Sequence, residues 1–392
     1  MRKGIANKNH VFCLQGKSDF PFKKQRRRLF FKRSNELVGV DLGSSSIKLV
    51  ALEKVADNQY HLKHFRMLPL PKDTIIEGAI MDSAMVIDTI SKLYELENIK
   101  EKNVATSISG NSVIVKKLVL PQMSIDELEQ SIQWDADQYI PFDVSEVNLD
   151  VKILKEAGEG AGFDEMEILL AAAKKEVIAD YVSVFEGASL KPVVIDLDVL
   201  AVGNMFEVNY PEFLDRTVLV ANIGASMTNI NIVGQGSSKF TRDVPLGGVN
   251  YTSDIQKQLQ VSFEEAEDLK IGGKINMENS ESIGNLSESN EVGAILHAVS
   301  ESIAVEIQRS IDFFASQAMS EDVSAIFLTG GGAKSPGLKD SIMQNTELPT
   351  EIIDPFKSIY IDGAKFDEEQ IKDIGPVAGV AVGLALREVL EL

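Results

Sequence analysis

The sequence predicts an α/β chain of two related lobes, with a small α+β module set into the first. Three observations predict it. Residues 38–50, VGVDLGSSSIKLV, run apolar into Asp41, turn through Gly43 and three hydroxyls, and leave apolar again. That is a strand, tight turn, strand unit with a carboxylate at its start. Residues 218–234, VLVANIGASMTNINIVG, repeat it, and a third glycine cluster, IFLTGGGAKSPG, spans 326–337. Three such loops in this order predict a nucleotide in a cleft between the lobes, its phosphates held inside β-hairpins rather than at a helix start.

Composition bounds the class. At 392 residues the chain can hold two or more domains with real cores. No stretch approaches the roughly 18 consecutive apolar residues of a membrane span, and the N-terminus lacks the apolar core of a secretory signal. The lone Cys13 excludes an internal disulfide framework and fits a reducing compartment. Four histidines without ligand spacing argue against structural zinc. Residues 1–34 hold eleven Lys/Arg and one acid, leaving 28 basic and 58 acidic side chains on the body. A body this acidic is a poor partner for nucleic acid. The tail, with Lys23, Lys24, Arg26, Arg27 and Arg28, is read as disordered or outside any domain; contact with anionic lipid or nucleic acid is the other reading. An alternative start codon at Leu29 would leave a short lead into the first strand.

The elements follow in order. Residues 37–43 and 46–55 read as a hairpin and 60–70 as a strand ended by Pro69 and Pro71. Met85, Val86, Thr89, Ile90 and Leu93 recur at helical spacing within 82–97. Strands at 103–109 and 112–119 flank a Gly110-Asn111 turn. Ser124 and Glu127 form a capping box for a helix over 124–138, with Ile125, Leu128 and Ile132 on one face and Pro141 as the stop. Strands at 146–154 and 165–172, joined by EAGEGAG, complete the small module. It has no convergent acid, base and nucleophile, so binding is its expected role. A helix over 174–189, a strand over 192–197 and a helix from near Leu200 finish the first lobe. The second opens at Thr217, with strands at 218–223, 228–233 and 238–244, a weak internal repeat of the first. Residues 274–292 read as an acidic surface loop. Leu296, Val299, Ile303, Ile307, Ile311 and Phe314 share one face of a helix over 295–315. A strand at 323–329 and a small-residue helix over 377–389 close the chain. The division is therefore 1–34 tail, 35–105 and 173–214 first lobe, 106–172 inserted module, and 215–392 second lobe.

The chemical groups are few. Asp41, isolated in an apolar strand, needs a cation or donors and would face phosphate or the water shell of its magnesium. Gly43 permits the turn, and Ser44, Ser45 and Ser46 offer N–H groups and hydroxyls. Lys48 points either into the cleft or to solvent. Asn222, Gly224, Ala225 and Ser226 repeat the pattern with an amide in place of the acid. An amide can hold water or a phosphate oxygen but cannot act as a base, which argues against hydrolysis. Gly330, Gly331 and Gly332 let backbone approach a base or sugar. Thr241, Arg242, Gly247 and Gly248 are either cleft wall or structural, and Arg309 either stacks near adenine or lies on the surface. Trp134, beside Tyr139 and Phe142, reads as core or subdomain packing, with a partner groove as the alternative.

With those loops in place, the chain resembles the PilM family of type IV pilus assembly proteins, within the actin-like (ribonuclease H-like) ATPase superfamily and related to FtsA. The stretches that carry the resemblance are VGVDLGSSSIKLV, LPLPKDTIIEGAI at 68–80, SISGNSVIVKKLVLP at 107–121, QWDADQYIPFDVSEV at 133–147, TRDVPLGGVNYTSDI at 241–255 and FLTGGGAKSPGL at 327–338. It implies four subdomains around an ATP cleft with Mg2+, the inserted module standing where the family has its distinctive subdomain. Asp41 to Ser46 and Asn222 to Ser226 would be the phosphate segments, Asp41 the metal-side acid, and Gly330 to Gly332 the adenosine segment. It also implies a cytoplasmic protein, peripheral at the inner membrane, that docks the N-terminal segment of PilN in a groove of the first lobe and inserted module. Through PilN it would connect to PilO, PilP, the platform protein PilC and the pilus motor ATPases. The basic tail and Asn222 depart from the superfamily pattern, and the ending REVLEL disfavours an FtsA-like membrane helix. The leading expectation is an ATP-bound adaptor. A slow ATPase or small-molecule kinase would need a cleft-facing base, and the kinase an acceptor pocket, neither of which stands out. A filament-forming scaffold is the third reading.

Overall fold

The computed structural model describes residues 37–56, 59–155, 164–278, 286–317 and 321–387. The tail with Cys13 and Leu29, and the EAGEGAG loop, lie outside them. Lobe one opens with the antiparallel strands β1 (Val38–Leu42), β2 (Ser46–Ala56) and β3 (Gln59–Pro69). The two-residue strands β4 (Ile75–Ile76) and β5 (Ala79–Ile80), helix α1 (Ser83–Glu97) and strand β6 (Asn103–Ile108) follow. The inserted module is β7 (Val113–Pro121), α2 (Ile125–Tyr139), β8 (Val147–Lys155) and β9 (Glu165–Lys174). Helix α3 (Lys175–Gly187), β10 (Lys191–Leu197) and α4 (Asp198–Asn209) return to lobe one. Lobe two runs β11 (Val218–Ile223), β12 (Thr228–Gly234), β13 (Ser237–Val244), α5 (Gly248–Leu259), α6 (Phe263–Glu278), α7 (Leu286–Gln317), β14 (Ile326–Thr329), α8 (Leu338–Thr346) and β15 (Thr350–Ile352). The chain ends in β16 (Ile359–Tyr360), α9 (Glu368–Ile374) and α10 (Gly379–Ala385).

The repeat that is weak in sequence is explicit in topology. Lobe one has strand order β10-β6-β1-β2-β3-β16 and lobe two β13-β12-β11-β14-β15. In each, three antiparallel strands are followed by two parallel ones that run to the sheet edge, the parallel pair reached through helical connections. Apolar residues fill both faces of these central strands: all five residues of β1 and all four of β14 are buried. Along α7, Leu296, Val299, Ile303, Ile307 and Phe314 cover the lobe-two sheet as their spacing predicts.

Three boundaries and one buried face differ from the sequence expectation. Strand β6 pairs in parallel with β1 and belongs to the main sheet, so the module begins at β7 rather than at 106, and its three strands run in the order β7-β9-β8. The end of the chain does not stay in lobe two: β16 pairs with β3, and α10 packs on β1 and α4. Its small residues are what permit this, since a Cβ on Gly383 would lie 1.8 Å from the Ala201 carbonyl oxygen and one on Gly39 2.3 Å from that of Ala381. The expected loop at 274–292 is narrowed from both sides, α6 continuing to Glu278 and α7 starting at Leu286. On α2 the capping box is present, yet Ile125 is exposed; Leu128, Ile132 and Ala136 form the buried face.

Replacing Gly383 by alanine is expected to destabilise the protein by about 3 kcal/mol, because two backbones meet there and neither can yield to a new side chain. A thermal unfolding midpoint equal to that of the parent protein would contradict this packing of α10 on α4.

Candidate nucleotide site between the lobes

Each lobe offers a β-hairpin to the cleft. In lobe one, Asp41 and Lys48 stand directly opposite across β1 and β2. Lys48 Nζ lies 3.2 Å from Asp41 Oδ2, and both side chains are about 10% exposed. Lys48 therefore points into the cleft. It passes over Gly43, where a Cβ would come within 2.6 Å of Nζ. Gly43 N–H donates to the Ser46 carbonyl at 3.2 Å and closes the turn. In lobe two, Asn222 faces Asn229 across β11 and β12, with the same seven-residue offset, and Asn222 Nδ2 donates to Asn229 Oδ1 at 3.1 Å. Gly224 N–H closes this turn on the Met227 carbonyl at 2.8 Å. The start of α5 is stitched beneath it, Gly248 N–H and Val249 N–H donating to the carbonyls of Gly224 and Ala225.

The two turns meet: Ser44 Oγ and Ser226 Oγ are 3.0 Å apart. Gly330, at φ +85°, runs so close to β11 that a Cβ would sit 2.4 Å from the Ile223 carbonyl oxygen and 2.6 Å from Asn222 Oδ1. The resulting cavity encloses about 400 Å³, within the range of small-ligand sites. Asp41, Gly43, Ser44, Ser45, Ser46, Lys48, Asn222, Gly224, Ala225, Ser226, Gly330, Gly331 and Gly332 all line it.

Sequence reasoning missed several lining residues. Asp198 opens α4 at the end of β10 and accepts a hydrogen bond from Ser107 Oγ at 2.6 Å. Burial and the nearby Asp41 push its carboxyl up to about 6 from an ordinary value near 3.8. The signal was the pair of acids in IDLD at 195–198; Asp196 is taken up by Arg387, whose Nε lies 2.6 Å from its Oδ2, whereas Asp198 lines the cavity. At the lobe-two end, Glu267 and Lys270 lie 2.7 Å apart one helical turn from each other, and Lys270 Nζ also donates to Thr252 Oγ1 at 3.0 Å. Phe263 lines the same end. An acceptor and a donor side by side suit a ligand's vicinal hydroxyls. The i, i+3 spacing of Glu267 and Lys270 reads equally as a surface ion pair until α6 is placed.

Other candidates lie elsewhere. Arg309 does not approach the cavity: its side chain is 65% exposed and pairs with Glu306 on α7. Arg242 is held by the same Glu306, at 2.7 Å, and Thr241 Oγ1 donates to the Val115 carbonyl of β7 at 3.4 Å. Of the other two, Gly248 lines the cavity and Gly247 lies packed against the Gly224 and Ala225 carbonyls. Trp134 is 86% exposed, so it is not part of a core.

Among the described residues no group of three or more His, Cys, Asp or Glu could hold a metal by itself. Asp41 and Asp198 nevertheless fit a hard divalent ion, because the charge of one already disfavours ionisation of the other. Magnesium bound mainly by phosphate and water, with one or two carboxylates nearby, suits such a donor set.

The family model described as type IV pilus assembly protein PilM matches residues 39–389. The chain belongs to the PilM family. The solved PilM–PilN type IV pilus biogenesis complex superposes with a TM-score of 0.79 at 28% identity, covering 90% of this chain and 98% of that one. The cell division protein FtsA of Bacillus subtilis is 23% identical over 350 residues, 80% of this chain and 78% of its own. The ethanolamine utilization protein EutJ of Carboxydothermus hydrogenoformans, 16% identical, shares the fold with a TM-score of 0.54 over 89% of each chain. This is an α/β, two-lobed actin-like fold, and the protein is a pilus assembly protein related to FtsA. No helix among the described residues is long and apolar enough to cross a membrane.

Asp198→Asn tests the electrostatics of the cleft floor. Because the folded carboxyl holds its proton to a higher pH than the unfolded one, its contribution to stability declines as pH rises from about 4 to about 6 and is constant above. The variant lacks that decline. Thermal midpoints of the two proteins should therefore diverge by a few degrees in the variant's favour between those pH values, and parallel curves would refute the assignment.

Proposed function

We propose that this PilM-family protein is an ATP-binding adaptor that docks the N-terminal cytoplasmic segment of PilN at the cytoplasmic face of the inner membrane. The observation that carries the nucleotide reading is the meeting of two hairpin turns, Ser44 Oγ and Ser226 Oγ, at one cavity. Gly43 to Ser46 from one side and Gly224 to Ser226 from the other would present N–H groups and hydroxyls to phosphate oxygens. Asp41, Asp198 and Asn222 would face the water shell of Mg2+, and Gly330 to Gly332 with Glu267 and Lys270 the nucleoside. Bound Mg2+ would neutralise phosphate charge that this strongly acidic body otherwise repels. Solved PilM bound to PilN supports the partner. PilO, PilP, PilC and the motor ATPases would be reached through PilN, leaving the protein peripheral to the membrane.

Occupancy would act by linkage. Nucleotide at a hundred times its dissociation constant stabilises the bound arrangement by about 2.7 kcal/mol, enough to set how lobe one and its module present a partner groove. One observation favours a second reading, slow hydrolysis. Asp198, with its carboxyl raised to about 6, supplies a cleft acid that Asn222 does not.

Titrating residues 29–392 with a fluorescent ATP analogue and magnesium, with and without a PilN N-terminal peptide, tests the proposal. Mutually strengthened binding of nucleotide and peptide with negligible phosphate release is expected. Sustained release without peptide binding would replace the adaptor by an enzyme.

A further inference from the structure

The amide at the head of the second hairpin does not stand alone. Asn222, Asn229 and Asp243 are directly opposed across three neighbouring strands, β11, β12 and β13. Asn222 Nδ2 donates to Asn229 Oδ1 at 3.1 Å, and Asn229 Nδ2 donates to Asp243 Oδ1 at 2.8 Å. The other carboxylate oxygen, Asp243 Oδ2, accepts from the backbone N–H of Gly110 at 3.0 Å. Gly110 lies in lobe one, at the turn that leads into the inserted module.

We propose that Asp243 is a positioning residue that fixes which end of the Asn222 amide faces the cleft. The polarity of the row follows from its fixed end. A backbone N–H can only donate, and Asp243, whose carboxyl burial pushes up while the Asn229 and Gly110 donors hold it down, accepts at both oxygens in its ionised form. Asn229 must therefore turn its NH2 to Asp243 and its oxygen to Asn222. Asn222 must answer with its NH2, which leaves its carbonyl oxygen for the other side. That oxygen does lie toward Gly330, at the cleft wall. A charge two strands away thus makes an asparagine present the kind of atom an aspartate would. Lobe one shows the contrast. There the row is Asp41, Lys48 and Met67, with the acid itself at the cleft, its ionic partner Lys48 next to it and an uncharged methionine in third place. An oxygen at position 222 suits a magnesium-bound water, which donates; an NH2 there would repel it. That last step rests on the nucleotide reading above, whereas the orientation does not.

Exchanging the two groups tests it. In N222D a carboxylate meets Asn229, which cannot donate to both acids, so one acceptor faces another. In N222D/D243N the row is whole again with its polarity reversed. Gly110 N–H donates to the oxygen of the amide introduced on β13, the NH2 of that amide to Asn229, and the NH2 of Asn229 to the acid introduced on β11. In D243N alone the row also closes, but Asn222 now turns its NH2 to the cleft. Without ligand, N222D should lose several degrees of thermal midpoint, D243N should lose little, and the double variant should recover most of the loss. With AMPPNP as probe, D243N should bind as the parent does in EDTA but lose about tenfold of the tightening that MgCl2 gives, the size of one hydrogen bond to a charged group. Additive midpoints across the cycle, or an unchanged magnesium effect in D243N, would overturn the proposal. Should the parent protein fail to bind AMPPNP at all, the nucleotide reading falls, and the ligand-free cycle still decides the orientation.

Discussion

A carboxylate buried at the end of a strand has to be answered by something, and the placement of Asp41 organises this molecule. Its answer is Lys48, directly opposite on the next strand, so that the first hairpin is closed by an ion pair as well as by its ladder. The turn between them is left short, and its hydroxyls are free to meet the second lobe. A ligand that brought its own cation to Asp41 would have to share the carboxylate with Lys48, which is already placed to follow the ligand's negative charge. The second hairpin keeps the same offset but uses neutral amides, so of the two facing hairpins the charged one belongs to lobe one.

The lobes are joined differently at the two ends of the cleft. At the base of the cleft α10 wedges small residues against α4 and β1, and Asn231 of lobe two donates to the Val199 carbonyl at 3.0 Å. The Arg387–Asp196 pair, almost wholly buried, holds the chain that follows α10 against β10. At the mouth the contacts include the two serines, the reach of β13 to Gly110 and Val115, and Lys72 Nζ over the Phe263 ring at 5.1 Å. A packed base with a polar mouth is the arrangement expected of a hinge. β13 thereby gives lobe two a direct contact with the entry to the inserted module.

Much of this was legible from residue order. Asp41, the serines after it and the three glycine clusters sit where their spacing predicts, because tight turns demand particular residues locally. Helix α7 was readable from its stripe, though not its first turns, where five of the seven residues (LSESNEV) are polar. What failed depended on chain ends meeting. Nothing in Ile359–Tyr360 announces an edge strand of lobe one, and the crossing back of α10 appears only as a run of small residues whose partner lies far away in sequence. Asp198 was missed because a single acid after a strand is common, and its meaning comes from Asp41 on a distant strand. Of the two readings of Arg309 the structure gives the surface one, its exposed side chain pairing with Glu306 on the same helix. Trp134 was read as packing because large aromatics usually are.

Central to the proposed function is that bound nucleotide fixes one arrangement of the two lobes about the cleft. The direct measurement is the distance between spin labels on Lys92→Cys in α1 and Lys257→Cys in α5, with Cys13 replaced by serine, recorded by pulsed electron resonance. The account predicts a broad distribution without ligand that narrows and shifts when AMPPNP and magnesium are added. A distribution unchanged by saturating ligand would contradict it, leaving a rigid two-lobed scaffold whose cleft does not control its partner surface.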